Sequence, residues 1–305
     1  MITKARTVLP TGADVLAKAA AKAEISADDL RSIRTWLADQ LVAQEYAKLG
    51  QGGHTNTQVP LRQVFVDLPI ASNPSASIHR EDRTLFLSCM LSAAPLDLRS
   101  AFKVRSDIAS ASRANPAEED EEEAEIFDGA IERVHPMARW GATLLIGGPG
   151  QSKSTLGQLA CQLHRAALIR PAAGELTAVQ RDLVNSFIPA AKKSKARTDV
   201  SKLGLPNTPL LPLQVTLPDF AAWAARATTT KAQERVPSLL QFLADLPSAR
   251  EVGLDAAKLF GLICVLPSLL VLDGFDEVGA TQDRTRIVAA ARELLTALAD
   301  RSASS

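Results

Sequence analysis

A glycine-rich turn between an apolar run and a helical segment constrains this chain more than any other feature. Residues 142–146 read Ala-Thr-Leu-Leu-Ile, which is typical of a short buried strand. Residues 147–155 then read Gly-Gly-Pro-Gly-Gln-Ser-Lys-Ser-Thr. Apolar residues at helical spacing follow at once, namely Leu156, Leu159, Ala160 and Leu163. This order predicts a strand, a tight loop and a helix, the local structure that surrounds bound phosphate in many proteins.

The loop contains each group that phosphate binding requires. Its glycines allow backbone N–H groups to turn inward, and the helix that begins near Lys153 supplies positive potential at its N-terminus. In loops of this kind the lysine reaches the β- and γ-phosphates, and the next hydroxyl, here Ser154, reaches Mg²⁺. We therefore predict a nucleotide-binding loop that consists of Gly147, Gly148, Pro149, Gly150, Gln151, Ser152, Lys153, Ser154 and Thr155.

A second segment supplies the acidic half of the predicted site. Leu269–Leu272 is continuously apolar, which predicts a parallel strand covered on both faces, and it leads directly into Asp273. Nucleotide enzymes present a carboxylate to Mg²⁺ at the end of such a strand. Asp276 and Glu277 follow closely and are predicted to position or deprotonate an attacking water. The alternative is a strand that ends in an ordinary Asp-Gly turn.

The remainder of residues 138–305 continues the alternation of strands and helices. Leu211–Leu217 predicts a strand that precedes a helix around Phe220–Trp223. A last helix places four apolar side chains on one face, namely Ile287, Leu294, Leu295 and Leu298. These alternating elements predict an α/β fold in which helices form the outer layers of a three-layer domain around a mostly parallel sheet.

The part that precedes this domain divides into two regions. Residues 1–58 are predicted to be helical, with Ser26 as the N-cap of an amphipathic helix. Residues 59–137 contain a predicted short strand at Val59–Pro69 and an acidic run at Glu118–Glu125. We interpret the acidic run as a solvated linker rather than a metal site.

Composition narrows the possible functions. Lys plus Arg and Asp plus Glu each total 34, so the formal net charge is zero, which argues against a protein held on nucleic acid by counterion release. The four histidines lack zinc-ligand spacing, and Cys161 and Cys264 are predicted to be small core residues rather than nucleophiles. The cysteine usage and the lack of a signal peptide or a spanning apolar segment favour a cytoplasmic protein without membrane contact.

Together, the two motifs resemble a NACHT domain, which belongs to the signal-transduction class of P-loop NTPases (STAND). The resemblance rests on the loop at 147–155 and on Leu-Leu-Val-Leu-Asp-Gly-Phe-Asp-Glu at 269–277. The intermediate strand followed by Asp219-Phe220 also matches. The resemblance covers about residues 138–300 and implies a P-loop NTPase fold with ATP and Mg²⁺ as ligands. It makes residues 59–137 the region that precedes the domain in bacterial NACHT proteins.

The same resemblance implies a role for each residue of the site. Gly147 to Ser152 would wrap the phosphates, and Lys153 would pair with them. Ser154 and, through water, Asp273 would hold Mg²⁺. The hydrolytic acids would be Asp276 and Glu277. The protein would then be an ATP/ADP-dependent switch in bacterial defence or signalling that self-associates through its NACHT domain.

Two departures from the family favour an alternative, a degenerate interaction module or gene fragment that keeps the fold without catalysis. The family has glycine immediately before the lysine, whereas this chain has Ser152, whose Cβ points into a loop that must approach phosphate closely. The family also continues well beyond its second motif, whereas this chain ends at Ser305. We therefore expect a NACHT domain truncated after the second motif, in which nucleotide binding is favoured over turnover.

Overall fold

The computed structural model describes residues 14–46, 60–61, 69–70, 84–85, 153–188, 204–206, 208–227 and 237–303. In chain order the elements are α1 (Val15–Lys22), α2 (Ala27–Ala43), β1 (Pro69–Ile70), β2 (Thr84–Leu85), α3 (Lys153–Ile169), a 3₁₀ segment (Arg170–Glu175), α4 (Ala178–Ser186), β3 (Leu211–Thr216), α5 (Leu217–Ala227), α6 (Leu239–Asp245), α7 (Pro247–Glu251), α8 (Ala256–Val265), β4 (Ser268–Asp273), a 3₁₀ turn (Phe275–Glu277) and α9 (Thr281–Ala303). The described part therefore combines helices with short strands.

Strands β3 and β4 form a parallel pair, and β1 and β2 form a separate antiparallel pair. In the parallel pair the register runs from Leu211 opposite Ser268 to Thr216 opposite Asp273. Both strands lie where the apolar patterns predict them, which confirms these two predictions. Because the strands are parallel, Thr216 and Asp273 end at the same edge of the sheet.

The two strands differ in burial. Most of β3 is buried, whereas β4 is only half-buried and Leu272 is 38 % exposed. Helix α3 covers one face of β4, so closely that a Cβ on Gly157 would lie 3.0 Å from Val271 Cγ1. Leu272 points to the opposite face, because side chains alternate along a strand. The prediction that this strand is covered on both faces is therefore wrong at Leu272.

Helix α2 confirms the predicted N-terminal helix and its cap. The Ser26 Oγ accepts a hydrogen bond from the Asp29 N–H at 3.1 Å and donates one to the Asp29 carboxylate at 2.8 Å. Its apolar face is fully buried at Ile33, Leu37 and Leu41. These residues join the same hydrophobic core as α1, α3 and the later helices, so the N-terminal helices pack directly on the rest of the described chain.

Polar side chains of α3 bind the C-terminal end of α2. Gln158 Nε2 donates to the carbonyl oxygens of Gln44 and Tyr46, at 2.8 and 3.0 Å. Gln162 Nε2 donates to the Leu41 carbonyl at 2.7 Å. The last carbonyls of a helix lack partners within the helix, and buried ones need donors from elsewhere. These amides therefore supply partners for carbonyls at the end of α2 and just beyond it.

Arg165 is buried in the core and donates hydrogen bonds to two glutamine side chains of this contact. The side chain is 2 % exposed, and its guanidinium donates to Gln44 Oε1 at 2.6 Å and to Gln162 Oε1 at 3.1 Å. By binding both amide oxygens, the guanidinium directs the Gln162 NH₂ group toward the Leu41 carbonyl. The negative end of the α2 dipole also favours a cation here.

Several predicted features lie wholly or mainly outside the described residues. These are the strand at 142–146, the acidic run at Glu118–Glu125 and most of the strand at Val59–Pro69. Within that last segment, Pro60 forms an isolated bridge with Tyr46, but Leu61 is helical, so the strand prediction is wrong at Leu61. The buried Leu61 donates its N–H to the Glu45 carbonyl at 2.8 Å. Among the described helices, none is long and apolar enough to cross a membrane.

Candidate functional site

The basic half of the candidate site lies at the start of α3. Lys153, Ser154 and Thr155 form its first turn, as the sequence predicts for a helix that opens after a phosphate-binding loop. Lys153 and Thr155 are half-buried, and Ser154 is exposed. The other predicted loop residues, Gly147, Gly148, Pro149, Gly150, Gln151 and Ser152, lie outside the described residues.

The acidic half lies at the end of β4 and meets α3 directly. Ser154 Oγ donates a hydrogen bond to Asp273 Oδ1 at 2.8 Å, although the two residues are 119 positions apart in the chain. The contact arises because α3 packs across β4, with Gly157 against Val271, so that the first turn of α3 reaches the carboxyl end of the strand. The structure thus brings together the two side chains predicted to share a metal ion.

Asp276 and Glu277 lie on the 3₁₀ turn that follows β4. Gly274 begins this turn with φ of +83°, in the left-handed region that favours glycine. A Cβ there would lie 3.2 Å from Pro218 Cδ and 3.3 Å from Glu277 Oε2, so the close approach of α5 also favours glycine. The turn places Asp276 Oδ2 3.8 Å from Lys153 Nζ. The lysine and the predicted acid pair therefore occupy one site.

The donor set fits a hard divalent cation. A serine hydroxyl and an aspartate carboxylate are the oxygen ligands that Mg²⁺ accepts, and Mg²⁺ usually completes its shell with water and phosphate oxygens. Among the described residues, no group of three or more His, Cys, Asp or Glu side chains is arranged to hold a metal ion. Ser154 and Asp273 are therefore the two described side chains here that could hold such a cation.

The two cysteines of the described residues differ in their surroundings. Cys161 on α3 is buried, as predicted for a core residue, and burial raises the pKa of its thiol to about 11. A thiol with that pKa is almost fully protonated at neutral pH and is a poor nucleophile. Cys264 on α8 is exposed, so its prediction as a core residue is wrong. The helical pattern places it on the outer face, away from the buried Leu262 and Ile263.

His164 is a buried structural residue of α3. It is 2 % exposed, and its Nδ1 accepts a hydrogen bond at 3.0 Å from the backbone N–H of Leu210, just before β3. An acceptor at Nδ1 requires the neutral ring with its proton on Nε2. Burial lowers the pKa of His164 from 6.5 to about 4. The ring therefore ties α3 to the start of β3 in its uncharged form.

This histidine is expected to make folding sensitive to mild acid. In the unfolded chain it binds a proton near pH 6.5, but in the folded protein only near pH 4. The unfolded state therefore gains protons first as pH falls from 6.5 to 4, which lowers the free energy of unfolding by up to about 3 kcal/mol. His164→Asn keeps a hydrogen-bond acceptor and does not titrate. Urea unfolding between pH 4 and 7.5 should show a weaker loss of stability for the variant, and parallel curves for the two proteins would contradict the prediction.

Two neighbours of the site carry no signal in the sequence pattern. Thr216 ends β3 directly opposite Asp273, which becomes visible only once the strand register is known. Arg284 on α9 contacts the acidic turn, since its Nε donates to the Val278 carbonyl at 2.8 Å. A basic residue in the first turn of a helix is ordinary by itself, so only the packing of α9 identifies this contact.

The arrangement combines a cation, a hydroxyl, a strand-end carboxylate and an exposed acid pair at the carboxyl edge of a parallel sheet. Ligands of α/β proteins commonly bind at this edge. Comparisons of the chain with models of known protein families, with curated proteins and with solved structures give no match. The interpretation of the site therefore depends on its own residues and their geometry.

Proposed function

We propose that this protein binds ATP with Mg²⁺ and acts as a nucleotide-dependent switch of the NACHT type, within a three-layer P-loop NTPase fold. The observation that supports this most strongly is the 2.8 Å hydrogen bond between Ser154 and Asp273. The two motifs are remote in sequence, and a purely local explanation of each motif does not require their side chains to meet. Their contact is what a shared Mg²⁺ site requires.

The residues of the site have separate tasks in this proposal. Lys153 binds the phosphates, and the N-terminus of α3 adds its positive potential. Ser154 and Asp273 hold the metal, which would supply charge neutralisation to the β- and γ-phosphates. Asp276 and Glu277 orient a water molecule and accept its proton. The exposure of Asp276, 71 % for its side chain, leaves that carboxylate accessible to water.

The metal-binding part of the proposal is tested by removing one charge. Asp273→Asn retains an oxygen that can accept from Ser154 but lacks the carboxylate charge, so we expect Mg²⁺ to lose most of its effect on ATP affinity. The expected loss is about 10-fold, or roughly 1.4 kcal/mol. Calorimetric titration of ATP with and without Mg²⁺ measures it. Asp182→Asn, an exposed change on α4, is the matched control.

Three results of this titration would contradict the proposal. They are absence of ATP binding to the unaltered protein, affinity that is independent of Mg²⁺, and equal effects of Asp273→Asn and Asp182→Asn. A phosphate-release assay distinguishes the ATP-dependent switch from the alternative, an interaction module without catalysis. Turnover that disappears in both Asp276→Ala and Glu277→Ala would exclude the module, whereas ATP binding without any turnover would favour it.

A further inference from the structure

We propose that Arg284 is a positioning residue that holds Asp276 and Glu277 in place for hydrolysis, an inference that rests on the proposed function. The acid pair lies on a turn that its own bonds hold weakly. The turn has one hydrogen bond from Glu277 N to the Gly274 carbonyl at 3.1 Å and another from Val278 N to the Phe275 carbonyl at 3.3 Å. A single 3₁₀ turn has poor hydrogen-bond geometry, so an outside contact is needed to fix it.

Arg284 contacts the turn on both sides of the acid pair. Its Nε donates to the Val278 carbonyl at 2.8 Å, one residue after Glu277. Its guanidinium carbon lies 5.9 Å from the ring centroid of Phe275, one residue before Asp276. A cation over an aromatic face at this distance is attractive. One side chain thus connects the two residues that enclose the acids.

The backbone of Arg284 is held in place by the first turns of α9. Its backbone N–H donates to the Ala280 carbonyl at 3.1 Å, within the first turn of α9. One turn later, Ile287 is 2 % exposed and anchors the helix in the core. Val278, whose carbonyl accepts the hydrogen bond from Arg284, is also buried, at 4 % exposure. This contact is therefore held at both of its ends. The guanidinium therefore connects a rigid helix to a turn that carries exposed acids.

The chemistry of arginine suits this task. Its planar group can donate through Nε while its delocalised charge attracts an aromatic ring, and lysine has no Nε–H group fixed in such a plane. Misplacement of catalytic groups by about 1 Å can reduce a rate about 100-fold without loss of binding. Loss of the Arg284 contacts to Val278 and Phe275 should therefore lower kcat and leave nucleotide affinity nearly unchanged.

The test compares Arg284→Ala and Arg284→Lys with Arg286→Ala in the full chain. Arg286 lies on the same turn of α9 but pairs with Asp283 at 3.0 Å, so it is the matched control. We expect both Arg284 variants to lower kcat for phosphate release about 10- to 100-fold, with KM and ATP affinity within about 3-fold of the unaltered protein. Added guanidinium ion should partly restore kcat in Arg284→Ala. Arg286→Ala should retain normal kcat.

The outcomes separate this inference from the proposed function. If the unaltered protein binds ATP but releases no phosphate, the proposed hydrolysis is wrong. The positioning role of Arg284 is then wrong as well. If it does release phosphate and Arg284→Ala has the kcat of Arg286→Ala, only the inference is overturned. A rise in KM at unchanged kcat would also overturn it. Should Arg284→Ala fail to fold, Arg284→Lys decides by the same kcat and KM criteria, since it keeps the charge and the aliphatic stem.

Discussion

Lys153→Ala is expected to weaken ATP binding about 100-fold, or roughly 3 kcal/mol, the upper range for a hydrogen bond to a charged group. The Lys153 ammonium lies at the N-terminus of α3, 3.8 Å from the Asp276 carboxylate. In the proposed complex this ammonium binds the terminal phosphates of ATP. Its removal takes away the cation but leaves the helix N-terminus. Titration of a fluorescent ATP analogue at constant Mg²⁺ measures the effect.

A second lysine provides the control for this prediction. Lys258 on α8 lies 2.7 Å from Asp29 in a half-buried ion pair, so Lys258→Ala also removes a paired cation. Ion pairs that keep contact with water contribute about 0–1 kcal/mol to stability, and both variants should therefore fold normally. Equal ATP affinities for Lys153→Ala and the unaltered protein would contradict the proposed nucleotide site.

Arg165→Glu is expected to lower the free energy of unfolding by about 4 kcal/mol or more, enough to prevent folding at moderate temperature. The substitution replaces a buried donor by an acceptor that faces the amide oxygens of Gln44 and Gln162. Both glutamines would have to rotate, and Gln162 would then lose its hydrogen bond to the Leu41 carbonyl. Chemical denaturation followed by circular dichroism measures the loss.

Two further variants identify the cause of that loss. Arg165→Met keeps most of the side-chain volume and only removes the donors, so we expect a smaller loss of about 2 kcal/mol. Arg170→Glu changes the same charge at an exposed position just after α3 and should cost less than about 0.5 kcal/mol. Similar losses for Arg165→Glu and Arg170→Glu would show that the α2–α3 contact contributes little to stability.

The site is partly predictable because each half depends on local patterns. An apolar run followed by Asp-Gly is enough to predict a strand that ends in a turn, and Gly274 adopts the left-handed conformation that such a turn favours. A lysine, two hydroxyls and an apolar helical repeat predict the start of α3. The distance between Ser154 and Asp273 is a different matter, because it depends on how α3 packs across β4.

By itself, the sequence determined the local elements: the Ser26 cap of α2, the start of α3 and the strands β3 and β4. These follow from capping, apolar periodicity and turn chemistry, which act over a few residues. Only the tertiary structure decided that α3 is buried all round from Gln158 to Ala166, polar side chains included. The periodicity of α3 marks a single apolar face, but the carbonyls at the end of α2 supply partners that make burial of the polar face favourable. Such partners come from distant segments, so no local pattern contains them.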